Sequence, residues 1–187
     1  MAEVIKLKPK ETYYDGYRFR SRLEARWAVF FNALGVPYDY EFEGFDLRER
    51  GYLPDFWLPQ QECWVEIKPR RRGWFYSVKS ARLSDHTGQK VLYIQGNPWP
   101  GEYGIQLHRP EPAGFCSEPH VFAHGRYRDE RDKLWVVCRE WHASCLNAIT
   151  PATEFWYPVT EAEAPRVMAA YKAARSAHFE HGESPRY

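Results

Sequence analysis

No apolar run in this chain of 187 residues approaches the ~20 residues that a membrane span needs. The first residues carry no secretory-signal pattern, so no membrane partner is expected and the cytoplasm is the expected compartment. Cysteine is sparse. The four present, Cys63, Cys116, Cys138 and Cys145, lie far apart, which argues against a disulfide scaffold and for a reducing environment. None lies in a C-x-x-C pair, the usual start of a structural zinc site. Cys138-x-x-x-His142-x-x-Cys145, with Cys116, His120 and His124 upstream, therefore reads as ordinary core thiols and surface imidazoles, and zinc is not expected. No cysteine sits in a recognisable activating turn, so Cys/His nucleophilic catalysis is not expected either. A G-x-x-x-x-G-K loop is absent, which disfavours ATP-dependent chemistry. No internal repeat is evident. A strong charge of either sign is missing as well, the formal net being +1.

What is present is a globular composition, 44% hydrophobic and 17% aromatic, in a chain long enough for one good core and a small appendage. The charge is unevenly spread: sixteen Lys/Arg stand against thirteen Asp/Glu up to Lys90, and ten against twelve beyond it. Arg18, Arg20, Arg22 and Arg26 gather around one predicted helix start, and Arg70, Arg71 and Arg72 form a run. Proteins that contact phosphates concentrate cations in this way; a solvated face is the plainer reading.

The central stretch is Tyr52–Lys68, Y-L-P-D-F-W-L-P-Q-Q-E-C-W-V-E-I-K. Two runs of strand composition, Tyr52–Leu58 and Cys63–Lys68, flank Pro59-Gln60-Gln61-Glu62, which suits a four-residue hairpin loop. Leu58 then pairs with Cys63, and counting outward places Asp55 opposite Glu66. Opposed carboxylates, with Cβ atoms ~4.5–5.5 Å apart, repel and call for a cation. Alternation puts Lys68 on the Glu66 face and sends Val65, Ile67, Phe56 and Leu58 to the other. An acid pair with a lysine suits metal-assisted phosphodiester cleavage: carboxylates hold Mg²⁺, and the amine orients a water.

Pro54-Asp55 followed by Glu66-Ile67-Lys68 resembles the signature of the PD-(D/E)xK nuclease superfamily, the fold of many restriction enzymes, Holliday-junction resolvases and recombination exonucleases. The string S-R-L-E-A-R-W-A, from Ser21, resembles the first core helix of phage and bacterial members, and A-R-S-A-H-F-E-H-G-E near the end resembles C-termini of phage-associated ones. The resemblance implies a Mg²⁺ site, with Mn²⁺ as a substitute, formed by Asp55, Glu66, the carbonyl of Ile67 and, directly or through water, Glu24. Lys68 is the implied water-positioning group, and the implied products carry 5′-phosphate and 3′-hydroxyl ends. Glu24 also has a purely structural reading, because Ser21-Arg22-Leu23-Glu24 fits a capping box.

Element order agrees with this resemblance. Asp15-Gly16 marks a turn between Tyr13 and Phe19. Leu23, Trp27, Phe30, Phe31 and Leu34 recur at helical spacing up to Gly35. Tyr38, Tyr40 and Phe42 alternate with Asp39, Glu41 and Glu43, predicting a half-buried strand that Phe45–Leu47 could resume. The motif hairpin follows. Gly73–His86 predicts a helix with Phe75, Val78 and Arg82 or Leu83 near one face, ended by Gly88. Lys90–Gln95 predicts a strand parallel to the one before that helix. The expected fold class is α/β, a three-layer α-β-β-β-α-β restriction-endonuclease-like core with a mixed sheet. Residues 1–98 form this core, and 99–187 form a C-terminal extension packed on or beside it. Within the extension, 99–132 carry no clear pattern, Lys133–Arg139 and Thr153–Tyr157 read as strands, and Glu161–His178 as a helix with Met168, Tyr171, Ala174 and Arg175 on one face. Thr160 and Glu163 could cap it, and Pro165 moves its regular start a turn later.

The expected activity is Mg²⁺-dependent endo- or exonucleolytic hydrolysis of DNA, with Arg22, Arg70, Arg71 and Arg72 on the phosphates and Trp74 stacking on bases. The motif does not separate DNA from RNA. The alternative is a catalytically silent nucleic-acid- or protein-binding module on the same fold, for example a phage counter-defence factor or a subunit of a larger complex. Many members of the superfamily are dimers, so a homodimer is the assembly the resemblance suggests.

Overall fold

In the computed structural model, residues 9–47, 51–70, 77–100, 103–110, 115–116, 120–126, 132–138 and 165–179 are described. Strand β1 (Thr12–Tyr14) pairs antiparallel with β2 (Tyr17–Phe19) around Asp15 and Gly16, both at positive φ (50° and 79°), as a tight hairpin turn with the right twist requires. Helix α1 (Arg22–Ala33) follows at once. The Ser21 hydroxyl accepts from the Glu24 N–H at 3.3 Å, and Gly35, at φ 67°, closes the last turn through a bond from its N–H to the Asn32 carbonyl. Trp27, Phe30 and Phe31 are wholly buried, as their spacing predicts.

Two expected strands are shorter than their patterns suggest. The alternating run from Tyr38 gives only β3 (Asp39–Tyr40), because Glu41 turns into the left-handed region (φ 49°), its N–H bonded to the Asp55 carbonyl at 3.1 Å. Tyr38 and Tyr40 are buried as expected, whereas Phe42 is 58% exposed. The run Tyr52–Leu58 is divided. Its first residue belongs to a separate two-stranded ribbon, β4 (Phe45–Asp46) paired with β5 (Gly51–Tyr52), and the strand proper, β6, is Phe56–Leu58. Pro54 lies between, lacking an N–H and constraining the residue before it.

The motif hairpin forms in the expected register: β6 pairs with β7 (Cys63–Lys68) as Leu58↔Cys63, Trp57↔Trp64 and Phe56↔Val65. Helix α2 (Val78–Thr87) is capped by Ser77 and ended by Gly88 in the left-handed region, and β8 (Lys90–Gly96) returns parallel to β7. Leu83 is the buried apolar residue of α2, while Val78 is 49% exposed and Arg82 faces solvent. The expected helix residues Gly73 and Phe75 lie outside the described residues.

The sheet continues past residue 98. β9 (Tyr103–His108) pairs antiparallel with β8, and β10 (Phe115–Cys116) with β9, giving the order β10-β9-β8-β7-β6-β3. A further ribbon joins β11 (His120–Arg126) to β12 (Asp132–Cys138), the latter where Lys133–Arg139 predicts a strand. Helix α3 (Pro165–Ser176) begins at the proline that the sequence marked as its regular start. Its inner face is Val167, Ala170, Tyr171 and Ala174, so of the four residues grouped on one face by the sequence Tyr171 and Ala174 are buried, whereas Met168 and Arg175 are exposed. Tyr171 stacks on Phe30 of α1 with ring centroids 4.9 Å apart. Thr153–Tyr157, Thr160 and Glu163 lie outside the described residues.

The protein is thus a mixed α/β chain with one mixed six-stranded sheet and, among the described residues, three helices. Alternation along β7 and β8 divides the core. Val65, Ile67, Leu92 and Ile94 join α1 and α3 in the larger apolar cluster, and Trp64 and Val91 meet Leu83 of α2 in the smaller. Among the described residues no helix is long and apolar enough to cross a membrane.

Candidate functional site

The β6–β7 hairpin carries its charged residues on the face of the smaller cluster. One step beyond the Phe56↔Val65 pair, Asp55 stands opposite Glu66. Asp55 has left the ladder, and its side chain replaces the missing backbone bond: Oδ2 accepts from the Ile67 N–H at 2.6 Å. The Lys68 ammonium lies 3.6 Å from the same Oδ2 and forms an ion pair with Glu66 Oε1, so both acids and the lysine share one face, as alternation predicts. Lys68 also donates to the Ile67 carbonyl at 3.1 Å.

These acids are deeply placed, Asp55 at 1% and Glu66 at 5% exposure. Burial first, then the Glu66 charge, pushes the Asp55 carboxyl up to about 7, against the opposing pull of Lys68. Burial works against the Lys68 charge, but Asp55 and Glu66 outweigh it and hold the ammonium above its usual range. Glu66 Oε2 and the nearby Tyr52 hydroxyl are both buried and make no hydrogen bond of ordinary geometry, but they lie beside each other, with Ser80 also next to the hydroxyl. The Tyr52 pKa is driven upward, by burial first and then by the Glu66 charge. A carboxylate oxygen left in this condition is costly unless something fills the place beside it.

Glu24 is committed differently. Its Oε1 accepts from the Ser21 hydroxyl and its Oε2 from the Tyr40 hydroxyl, both at 2.7 Å. Both of its oxygens thus carry donors, and its influence on the pair is through its charge, which adds to the upward push on Asp55. Tyr40 OH in turn accepts from the Arg20 N–H at 2.9 Å, tying α1, β3 and the acid pair together.

Arg20 is the residue that sequence reasoning left out of the site. Its guanidinium reaches Asp55 Oδ1 at 3.2 Å and also pairs with Glu41. The one signal for it was its place in the arginine cluster just ahead of α1. Arg22 is half-buried and faces Arg26 one turn on, whose pKa is lowered by burial first and then by the Arg22 charge. Arg70 is exposed, and Arg71, Arg72 and Trp74 lie outside the described residues, as do His142 and Cys145 of the cysteine–histidine group. Cys63 is buried in the core, where burial drives its thiol up to about 12, a poor state for a nucleophile.

Glu66 and Lys68 open onto a cavity of about 630 Å³. Arg20 and Lys79 of α2 add further cations, and Asp46 adds an acid. One wall is the β4–β5 ribbon, with Phe45, Tyr52 and Leu53 presenting apolar surface. Lys79 Nζ lies 5.6 Å from the centre of the Tyr52 ring.

The donors at the site are oxygens of the kind a hard divalent ion takes. Asp55, Glu66 and the Ile67 carbonyl present hard oxygens, each now engaged by Arg20, Lys68 or the Ile67 N–H; Mg²⁺ typically takes one or two carboxylates and completes its shell with water and phosphate. An all-protein cage is not on offer, since among the described residues no three His, Cys, Asp or Glu side chains group to hold a metal ion. Comparison of the chain with protein-family models, curated proteins and solved structures yields no match.

Proposed function

We propose that this chain is a Mg²⁺-dependent nuclease hydrolysing phosphodiester bonds of DNA, on a restriction-endonuclease-like core of the PD-(D/E)xK kind. The observation that carries the reading is the pair of buried carboxylates, Asp55 and Glu66, set face to face on one side of the hairpin with the Lys68 amine against both. Support comes from element order: three strands of the main sheet, β3, β6 and β7, lie between α1 and α2 in the chain and β8 returns parallel to β7, in keeping with the order proposed for this core.

Asp55, Glu66 and the Ile67 carbonyl would hold the ion, with Mn²⁺ as a substitute. Once bound, it supplies a more acidic water and offsets charge on the phosphate. Lys68 orients that water and holds a proton at Nζ, which the two acids keep charged. Arg20 and Lys79 meet the phosphate from the cavity side, and Arg22, Arg70, Arg71 and Arg72 extend the contact along the backbone. Glu24 adds negative charge without giving up the donors it already holds. Plasmid and branched DNA incubated with Mg²⁺ or Mn²⁺ test this directly. Asp55→Ala and Lys68→Ala should each lose about a hundredfold or more in rate; equal cleavage by all three proteins removes both residues from the mechanism.

One observation favours a non-catalytic DNA- or protein-binding module instead. Lys68 already bridges both acids, so the pair is partly neutralised without a metal. Calorimetric titration with Mg²⁺, with and without DNA, separates the two: complete absence of metal binding in both arms selects the module.

A further inference from the structure

We infer that the cavity between the β4–β5 ribbon and the acid pair is a recess for an unpaired polynucleotide strand, so that single-stranded segments, and not continuous duplex, are what this site engages. The inference deepens the nuclease reading and takes its ligand class from it. At about 630 Å³ the cavity lies in the range of small-ligand pockets, about 300–1,000 Å³. Its lining combines the cations Arg20, Lys68 and Lys79, among the acids Asp46 and Glu66, with the apolar surface of Phe45, Leu53 and the Tyr52 ring, over which Lys79 Nζ lies at 5.6 Å. Cations that track a backbone together with aromatic or apolar surface that takes bases are the combination used for single strands. A duplex keeps its bases paired and stacked inside and offers phosphates outside, so it can place nothing on such a wall without extruding a nucleotide.

A second observation is independent of charge. Gly44 and Gly51 both line the cavity, and neither has the positive φ that favours glycine. Crowding does not demand glycine either. A Cβ on Gly51 would meet nothing within 4 Å, and one on Gly44 would meet only ordinary contacts, the nearest being Leu53 Cδ1 at 3.8 Å. Glycine in a strand carries an entropic penalty, and Gly51 begins β5, so its presence there is best accounted for by the volume it leaves open in the wall.

The test is equilibrium binding of fluorescein-labelled strands in EDTA at fixed salt, where no cleavage can occur. The probes are a twelve-nucleotide thymidylate strand, a uridylate strand of equal length and a twelve-base-pair duplex. At least one single strand should bind at least tenfold tighter than the duplex; which of the two binds better identifies the sugar the site prefers. Gly51→Val, which places a β-branched side chain in a strand, should weaken that binding tenfold or more without lowering the Tm. Gly104→Val, in β9 with the same open surroundings but away from the cavity, should change neither. Lys79→Glu provides a variant that leaves the strands untouched; it should weaken single-strand binding and flatten its dependence on salt. Duplex binding as tight as the better-bound strand, or wild-type affinity in both Gly51→Val and Lys79→Glu, overturns the inference. Failure of the nuclease reading looks different: strands bind in EDTA as described, yet no DNA is cut when Mg²⁺ is added.

Discussion

Asp55 does two things that pull against each other. Its Oδ2 stands in for a strand carbonyl toward the Ile67 N–H, which fixes the side chain, and its burial raises the pKa from 3.8 to about 7. A folded-state pKa above the unfolded one means that folding favours the proton. The associated stability is complete below about pH 4 and is lost as pH rises through about 7. Asp55→Asn keeps an oxygen for the Ile67 N–H and removes the charge, so the Tm of the variant relative to wild type should climb by several degrees between pH 5 and pH 8 in metal-free buffer. A difference that stays constant across that range would show that Asp55 is ionised throughout. The Lys68 ammonium pairs with both acids, and its charge opposes that of the divalent ion proposed to bind them. Lys68→Met should therefore abolish cleavage while tightening Mn²⁺ binding in calorimetry; weaker binding would mean that the amine helps to hold the site in shape. At this scale the sequence named Asp55, Glu66 and Lys68 correctly as neighbours on one face, because a strand period of two leaves no other arrangement once the loop length is known. It could not name Arg20, which reaches Asp55 from thirty-five residues away.

Among the elements, α1 was the most legible. Its serine cap, apolar spacing and terminal glycine are all local and act as read, except that Glu24 bonds to the Ser21 hydroxyl where a capping box would take the Ser21 N–H. The Ser21 hydroxyl serves twice, accepting from the Glu24 N–H and donating to the Glu24 carboxylate. Ser21→Ala should cost about 1 kcal/mol, a fall of roughly 2–4 °C in Tm, with Ser21→Asp recovering part of it as a cap. A loss of Tm without any change in cleavage would assign Ser21 and Glu24 to the helix alone. Strand ends were read less well. Tyr52 looks continuous with Phe56–Leu58 in sequence, yet it pairs with Phe45 in a ribbon that forms the cavity wall. The reversal at Glu41 was equally hidden, since the bond from its N–H to the Asp55 carbonyl is made across the fold.

For the whole molecule, α3 is as much part of the core as α1. Tyr171 is 2% exposed and stacks on Phe30, and Ala170, Ala174 and Val167 close the same cluster. Tyr171→Ala should cost about 3–5 kcal/mol in urea denaturation, the range for large aromatic truncation. A value near zero would mean that the chain folds independently of that contact. Sequence alone determined what is periodic and near in the chain: the β1–β2 turn, the buried stripe of α1, the hairpin register and the shared face of Asp55, Glu66 and Lys68. Tertiary structure alone decided what depends on distant groups competing for the same atoms. It placed Arg20 on Asp55, gave Tyr40 to Glu24, buried Val167 and Ala170 of α3 beside Tyr171 and Ala174 while leaving Met168 exposed, and set the β4–β5 ribbon beside Glu66. Burial and long-range hydrogen bonding act between residues tens of positions apart, and local patterning carries no record of them.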